Sequence, residues 1–163
     1  MAYRIRRRMS RSDRRLAVSA LAVGVGMAVL SGHGGASGGA PSKAAGRAIA
    51  YARAQLGKPY EWGGTGPYAF DCSGLVMEAY QAAGVDIART SQAQWATERH
   101  VSSPQPGDLV FYPGADGTWT SPGHVALVVG GGQMIEAYAT GYPIREVPIR
   151  SGAVGYSQPW GGT

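Results

Sequence analysis

Cys72 is the only cysteine in the 163 residues, and it stands in the run Phe70-Asp71-Cys72-Ser73-Gly74-Leu75-Val76. Asp71 reads as an N-cap, which places Cys72 at the first helical position. There the unpaired backbone N–H groups and the macrodipole favour the thiolate, the species that attacks carbonyls. A lone cysteine is often no more than a small apolar filler. It becomes a nucleophile when a base is available, and the chain offers three histidines. His33 follows the apolar N-terminal stretch and His100 lies among polar residues. His124 opens an apolar run directly after Ser121-Pro122-Gly123, which reads as an exposed lip at the start of a strand. An isolated strand histidine is commonly a satisfied edge residue, so its neighbours decide its role.

The N-terminus bears on where such a thiol would work. Residues 1–15 hold seven arginines against one acid, and Leu16 to Leu30 carry no charge. That apolar stretch of 15 residues falls short of the roughly 20 a spanning helix needs, and the small-residue tract Ser31 to Ala40 follows it. This is the layout of a secretory signal. Gly34-Gly35-Ala36 supplies small residues for cleavage, so we expect a signal peptide over 1–36, a short linker over 37–44 and one catalytic-size domain over 45–163. Arg14-Arg15 leaves the export route open between the twin-arginine and general pathways. Of the whole-chain charge of +5, the first fifteen residues supply +6, which leaves 5 − 6 = −1 for the remainder. The basic balance thus belongs to the signal, and no nucleic-acid partner is expected. Nor is stable membrane insertion expected once the signal is gone. A single cysteine forms no internal disulfide, and an unpaired cysteine in an exported chain points to a reactive thiol or to intermolecular pairing. No His/Cys/Asp cluster has ligand spacing, so neither a metal nor another cofactor is expected.

The elements that must position these groups follow from periodicity. Ser42 caps a helix with Ala45, Ala48, Ile49, Ala52 and Leu56 on one stripe, closed by Gly57 and Pro59. Lys58 to Phe70 is a Gly/Pro/aromatic loop, after which a second helix carries Leu75, Val76, Ala79, Tyr80 and Ala83 to Gly84. A short helix from Ser91 to about Glu98 precedes a change to strands: Asp108 to Tyr112, His124 to Val129, Gln133 to Tyr138 and Ile144 to Ile149. Helices first and strands after give an α+β fold, with helix two packed on a small antiparallel sheet.

The hairpin carries a further expectation. If Gly130-Gly131-Gly132 form the loop, Val129 faces Gln133, Ala126 faces Glu136, and His124 is the diagonal neighbour of Glu136 on the face turned towards Cys72. Diagonal neighbours lie about 7–8 Å apart, within reach of a carboxylate–imidazole hydrogen bond. A two-residue loop would flip the parity and separate them. A glutamate within the apolar Met134-Ile135-Glu136-Ala137 is a misplaced charge unless it has a partner.

Taken in order, Ala52-x-x-x-Leu56-Gly57-x-Pro59-Tyr60-x-Trp62-Gly63-Gly64, Asp71-Cys72-Ser73-Gly74-Leu75-Val76, Pro106-Gly107-Asp108-Leu109-Val110-Phe111, Gly123-His124-Val125 and Met134-Ile135-Glu136-Ala137 resemble the NlpC-type cell-wall endopeptidases, papain-like cysteine peptidases. The resemblance spans about Ala45 to Arg150. It implies N-terminal helices on a central antiparallel sheet, a secreted or wall-associated bacterial location, and hydrolysis of peptidoglycan stem peptides between γ-D-glutamate and the following diamino acid. By the same resemblance Cys72 is nucleophile, His124 base and Glu136 the orienting third residue, where many relatives carry histidine. Glutamate retains an acceptor for the imidazole N–H. Tyr60, twelve residues before the thiol, is a candidate oxyanion donor or substrate contact, with an aromatic plug as the alternative. Asp71 could meet a positive group of the substrate, although capping already explains it, and the Ser73 hydroxyl is a candidate pocket lining. Trp62, Gly63 and Gly64 are read as shaping the turn. A Cys-His pair fixes acyl transfer but not its donor or acceptor, so a wall amidase or acyltransferase is the rival chemistry, and a non-catalytic wall-binding protein the rival class.

Overall fold

The computed structural model describes residues 42–160, so the expected signal segment lies outside the described residues. Helix α1 spans Lys43–Arg53 and begins within the segment expected as linker. The Ser42 hydroxyl caps it by accepting from the Ala45 N–H at 3.1 Å. Its buried stripe is Ala45, Ala48, Ile49 and Ala52. Leu56 does not continue that stripe: the chain leaves the helix after Arg53 and Leu56 is 41% exposed. Helix α2 runs over Cys72–Ala82 with Asp71 as N-cap, and Gly84, at φ 82°, turns the chain away. Helix α3 is Ser91–Thr97.

Six antiparallel strands follow: β1 Arg99–Val101, β2 Leu109–Tyr112, β3 His124–Gly130, β4 Gln133–Glu136, β5 Arg145–Pro148 and β6 Gly155–Gln158. Their order is β1-β6-β2-β3-β4-β5, which makes β2 and β3 the centre. The pleat divides their side chains between two packed layers. Leu109, Phe111, Val125, Leu127 and Ile135 join Leu75, Val76, Ala79 and Tyr80 of α2, together with Ile49 of α1. Val110, Tyr112, Ala126, Val128 and Met134 form the opposite layer, covered by Val147, Ile149, Ala153 and Tyr156. Strands β1 and β6 were not expected. One is three residues with exposed Arg99 and His100, and the other reads Gly-Tyr-Ser-Gln with Ser157 alone buried, so neither shows apolar alternation.

The hairpin register differs from expectation at its tip. Leu127 faces Ile135 and Val128 faces Met134, as predicted, but Gly130 and not Val129 faces Gln133. The turn is the two residues Gly131 and Gly132, at φ 60° and 72°, the left-handed conformation such tight hairpin turns require. Val129 is the extra residue of a bulge. The bulge restores the parity that a two-residue turn alone would have reversed, and His124 and Glu136 share a face. That face is the Val110, Ala126 and Met134 layer, not the one packed on α2. Cys72 reaches this site around the end of the sheet where β3 begins, its Sγ 3.9 Å from the carbonyl oxygen of Gly123, the residue before His124.

Candidate active site

Asp71 starts α2 and is fully engaged within the chain. Its Oδ1 accepts from the Gly74 N–H at 2.6 Å, and its Oδ2 from the Gly63 N–H at 2.9 Å. Arg89 donates to both oxygens, at 3.0 and 2.6 Å, and to the Ser73 hydroxyl at 2.9 Å. The loop before the helix is pressed against it, since the Asp71 N–H donates to the Gly64 carbonyl at 2.9 Å. A Cβ on Gly74 would stand 2.1 Å from that same oxygen, so the fourth residue of Asp-Cys-Ser-Gly has no room for a side chain. Cys72 occupies the first helical position with 9% exposure, and its Sγ lies 3.9 Å from the Gly123 carbonyl oxygen.

His124 is buried, with 7% exposure, and so is not the exposed lip expected from the preceding turn. The rings of Tyr112 and Tyr138 cover it at centroid distances of 6.1 and 5.8 Å. Its Nε2 lies 2.9 Å from Glu136 Oε2. An ionised carboxylate only accepts, so Nε2 carries the proton and Nδ1 is left for the thiol. Burial alone would push the imidazole down, but hydrogen bonding to Cys72 and Glu136, with their charges, raises it above its ordinary value. Glu136 is wholly buried. Burial opposes its ionisation, yet His124, Arg145 and Arg150 hold it at about 2. The charge that looked misplaced in an apolar strand therefore has three partners.

Tyr60 faces the same region. Burial first, then the negative charges of Cys72, Asp71 and Asp116, push its hydroxyl up to about 12, so it keeps its proton and can donate. Two clefts meet at the thiol. The larger, about 700 Å³, is lined by Asp71, Ser73, Arg89 and Thr90, and the smaller, about 400 Å³, by His124, Gly114, Tyr138 and Thr140. Cys72, Tyr60, Trp62, Asp116 and Gly123 line both, so Trp62, read as a turn residue, is also a cleft wall. The structure thus brings Tyr60, Asp71, Cys72, Ser73, His124 and Glu136 together. Sequence reasoning missed Arg89, Asp116, Arg145 and Arg150. Only Arg145 had a local signal, because it stands on the expected last strand directly opposite Glu136. Among the described residues no group of His, Cys, Asp or Glu could hold a metal ion, and no helix is long and apolar enough to cross a membrane.

Residues 57–159, more than half of the chain, match the model of the NlpC/P60 family. The chain belongs to that family. It is 46% identical over 95 residues to a protein of Listeria monocytogenes named "Probable endopeptidase p60", a match covering 57% of this chain and 19% of the relative. It is 46% identical over 111 residues to a "Probable endopeptidase" of Corynebacterium glutamicum, covering 66% of this chain and 50% of the relative. This NlpC/P60 chain therefore spans half or less of those two curated relatives. Among solved structures, the peptidoglycan hydrolase RipB of Mycobacterium tuberculosis superposes with a TM-score of 0.63 at 34% identity, over 71% of this chain and 64% of that one. A Bacillus cereus NlpC/P60 protein gives 0.66 at 31%, over 73% and 41%. The fold is accordingly the papain-like α+β arrangement of the NlpC/P60 family, with its helices packed on an antiparallel sheet.

Proposed function

We propose that this chain is an exported cysteine endopeptidase that hydrolyses peptidoglycan stem peptides, at the bond between γ-D-glutamate and the diamino acid. The observation that carries this reading is the Cys72, His124 and Glu136 constellation at the junction of two clefts, in a family whose relatives are named as endopeptidases and peptidoglycan hydrolases. Residues 1–36 act as the signal, and the product is secreted or wall-associated.

In this mechanism His124 Nδ1 takes the thiol proton, and the Cys72 thiolate attacks the amide carbonyl. The Cys72 backbone N–H is one of the unpaired donors of the helix start, and with the Tyr60 hydroxyl it receives the developing oxyanion. The imidazolium then protonates the leaving amine. That amine must lie on the His124 side, so the diamino acid half occupies the smaller cleft and the acyl half the larger one, beside Ser73 and the Asp71–Arg89 pair. Water, activated by the same imidazole, attacks the thioester and releases the acid. Asp71 supports the acyl-side wall chiefly through its internal partners.

Purified bacterial cell walls digested with the full chain, with new termini identified by mass spectrometry, test the assignment. Newly formed amines on the diamino acid, paired with free γ-carboxyl groups on D-glutamate, are expected. New termini at the lactyl amide, or transfer products in place of hydrolysis, would assign the rival amidase or acyltransferase.

A further inference from the structure

Glu136 has more partners than an orienting carboxylate needs. Besides His124, Arg145 donates to Oε1 from Nε at 3.2 Å and Nη2 at 2.9 Å, and Arg150 Nη1 lies 3.0 Å from Oε1 and 2.9 Å from Oε2. The guanidiniums are held in their turn. Arg145 lies over the rings of Tyr138 and Tyr142 at 4.7 and 5.1 Å, and Arg150 over Tyr112 and Tyr138 at 4.3 and 5.2 Å. The Tyr112 hydroxyl also lies 3.2 Å from both the backbone N–H and the carbonyl of Arg150. Since Tyr112 and Tyr138 are the rings that cover His124, one set of aromatics positions both the base and the cations behind its acid.

We propose that Arg145 and Arg150 are positioning residues of this site: a two-guanidinium clamp that fixes the plane of the Glu136 carboxylate against His124 and tempers its charge at the imidazole. One cation would neutralise a buried carboxylate. Two leave a net positive charge beside the Cys72–His124 pair, which favours the thiolate and disfavours over-stabilised imidazolium. A purely structural role would satisfy Glu136 without moving the pair's ionisation. The charged and titratable groups against His124 are Cys72 from α2, Tyr112 from β2, Glu136 from β4 and Tyr138 after β4, with Arg145 and Arg150 behind Glu136. Asp116 and Tyr60 line the same cleft, with Asp116 exposed to water. Arg145 acts on the imidazole through Glu136.

The test uses Arg145→Gln, Arg150→Gln and the corresponding lysine variants of the full chain. Its readouts are the pH profile of Cys72 alkylation by iodoacetamide, which needs no substrate, and kcat and KM on cell walls. Removing a cation makes both proton losses of the pair harder. Each glutamine variant should therefore shift the alkylation profile upward by about half to one pH unit, with kcat reduced and KM unchanged. The lysine variants keep the charge but lose the fork, so the profile stays in place while kcat falls several-fold. Superimposable profiles in folded glutamine variants would overturn the clamp. Should circular dichroism show those variants unfolded, wild-type kcat in the lysine variants would overturn it instead. The inference rests on the reading of the site as a peptidase only for its kcat arm. A shifted alkylation profile without wall hydrolysis refutes the proposed function and keeps the clamp, and hydrolysis with an unshifted profile does the reverse.

Discussion

His124 Nε2 stands 2.9 Å from Glu136 Oε2, with the imidazole 7% exposed and the carboxylate wholly buried. The contact commits Nε2 and leaves Nδ1 free for the thiol. Glu136→Ala should lose most of the activity and Glu136→Gln less, because the amide oxygen still accepts from Nε2. Both variants leave two guanidiniums without their anion, so the His124 imidazole should titrate at lower pH in each. Side-chain NMR titration of labelled histidine reads this directly, and an unmoved or raised midpoint would show that Glu136 does not govern the base.

The same carboxylate makes acid stability predictable. Its folded-state pKa of about 2 lies below the value of an unfolded glutamate. Its contribution is therefore complete at neutral pH and is lost as pH falls from about 5 towards 2. Thermal melts should show a steeper loss over that window in the parent chain than in Glu136→Gln. Parallel curves would reject the linkage.

Glu98 works in the opposite direction. Burial raises it to about 7, against a hydrogen bond from the Ser157 hydroxyl that lowers it. The folded state then binds the proton more tightly than the unfolded chain, so stability declines as pH rises from about 4.5 through 7. Glu98→Gln should raise Tm more at pH 8 than at pH 5, and an equal change at both would contradict it.

The first turn of α2 tolerates no side chain at Gly74, whose added Cβ would meet the Gly64 carbonyl at 2.1 Å. Gly74→Ala should displace the loop carrying Tyr60 and Trp62, at a cost of about 1–3 kcal/mol in folding, and should reduce kcat/KM. Tyr60→Phe separates position from chemistry in that loop. If the hydroxyl meets the oxyanion, kcat falls on the order of 10²-fold with KM unchanged. An unchanged rate would make Tyr60 a packing residue.

The legible parts of this chain were those where one local pattern suffices. The α1 stripe as far as Ala52, the α2 stripe and the central hairpin pairing follow from helical or two-residue periodicity, and the Asp71 cap from its residue type. The hairpin tip did not, because three consecutive glycines permit either a three-residue loop or a two-residue turn with a bulge at Val129, and only the packed strands choose. Strand β6 was invisible because a Gly-Tyr-Ser-Gln segment owes its place to pairing with β1 and β2, not to its own propensity. At the site, the Asp71 cap puts Cys72 at the helix start and strand spacing puts His124 beside Glu136. Arg89 and Arg150 were not legible, since each reaches its carboxylate only through tertiary contacts, 18 residues from Asp71 and 14 from Glu136. From the turn before it His124 reads as an exposed lip, because Tyr112 and Tyr138, which bury it, come from other segments.

The central claim is that the Cys72 sulfur carries the acyl half of the cleaved peptide. Acid-quenched reactions of the full chain with stem peptide, analysed by intact and peptide mass spectrometry, test it most directly. The account predicts an adduct on the peptide containing Cys72, equal in mass to the γ-D-glutamyl half joined as a thioester, and neither adduct nor cleavage in a folded Cys72→Ala chain. Cleavage that persists in Cys72→Ala, or an adduct on any other residue, would contradict it.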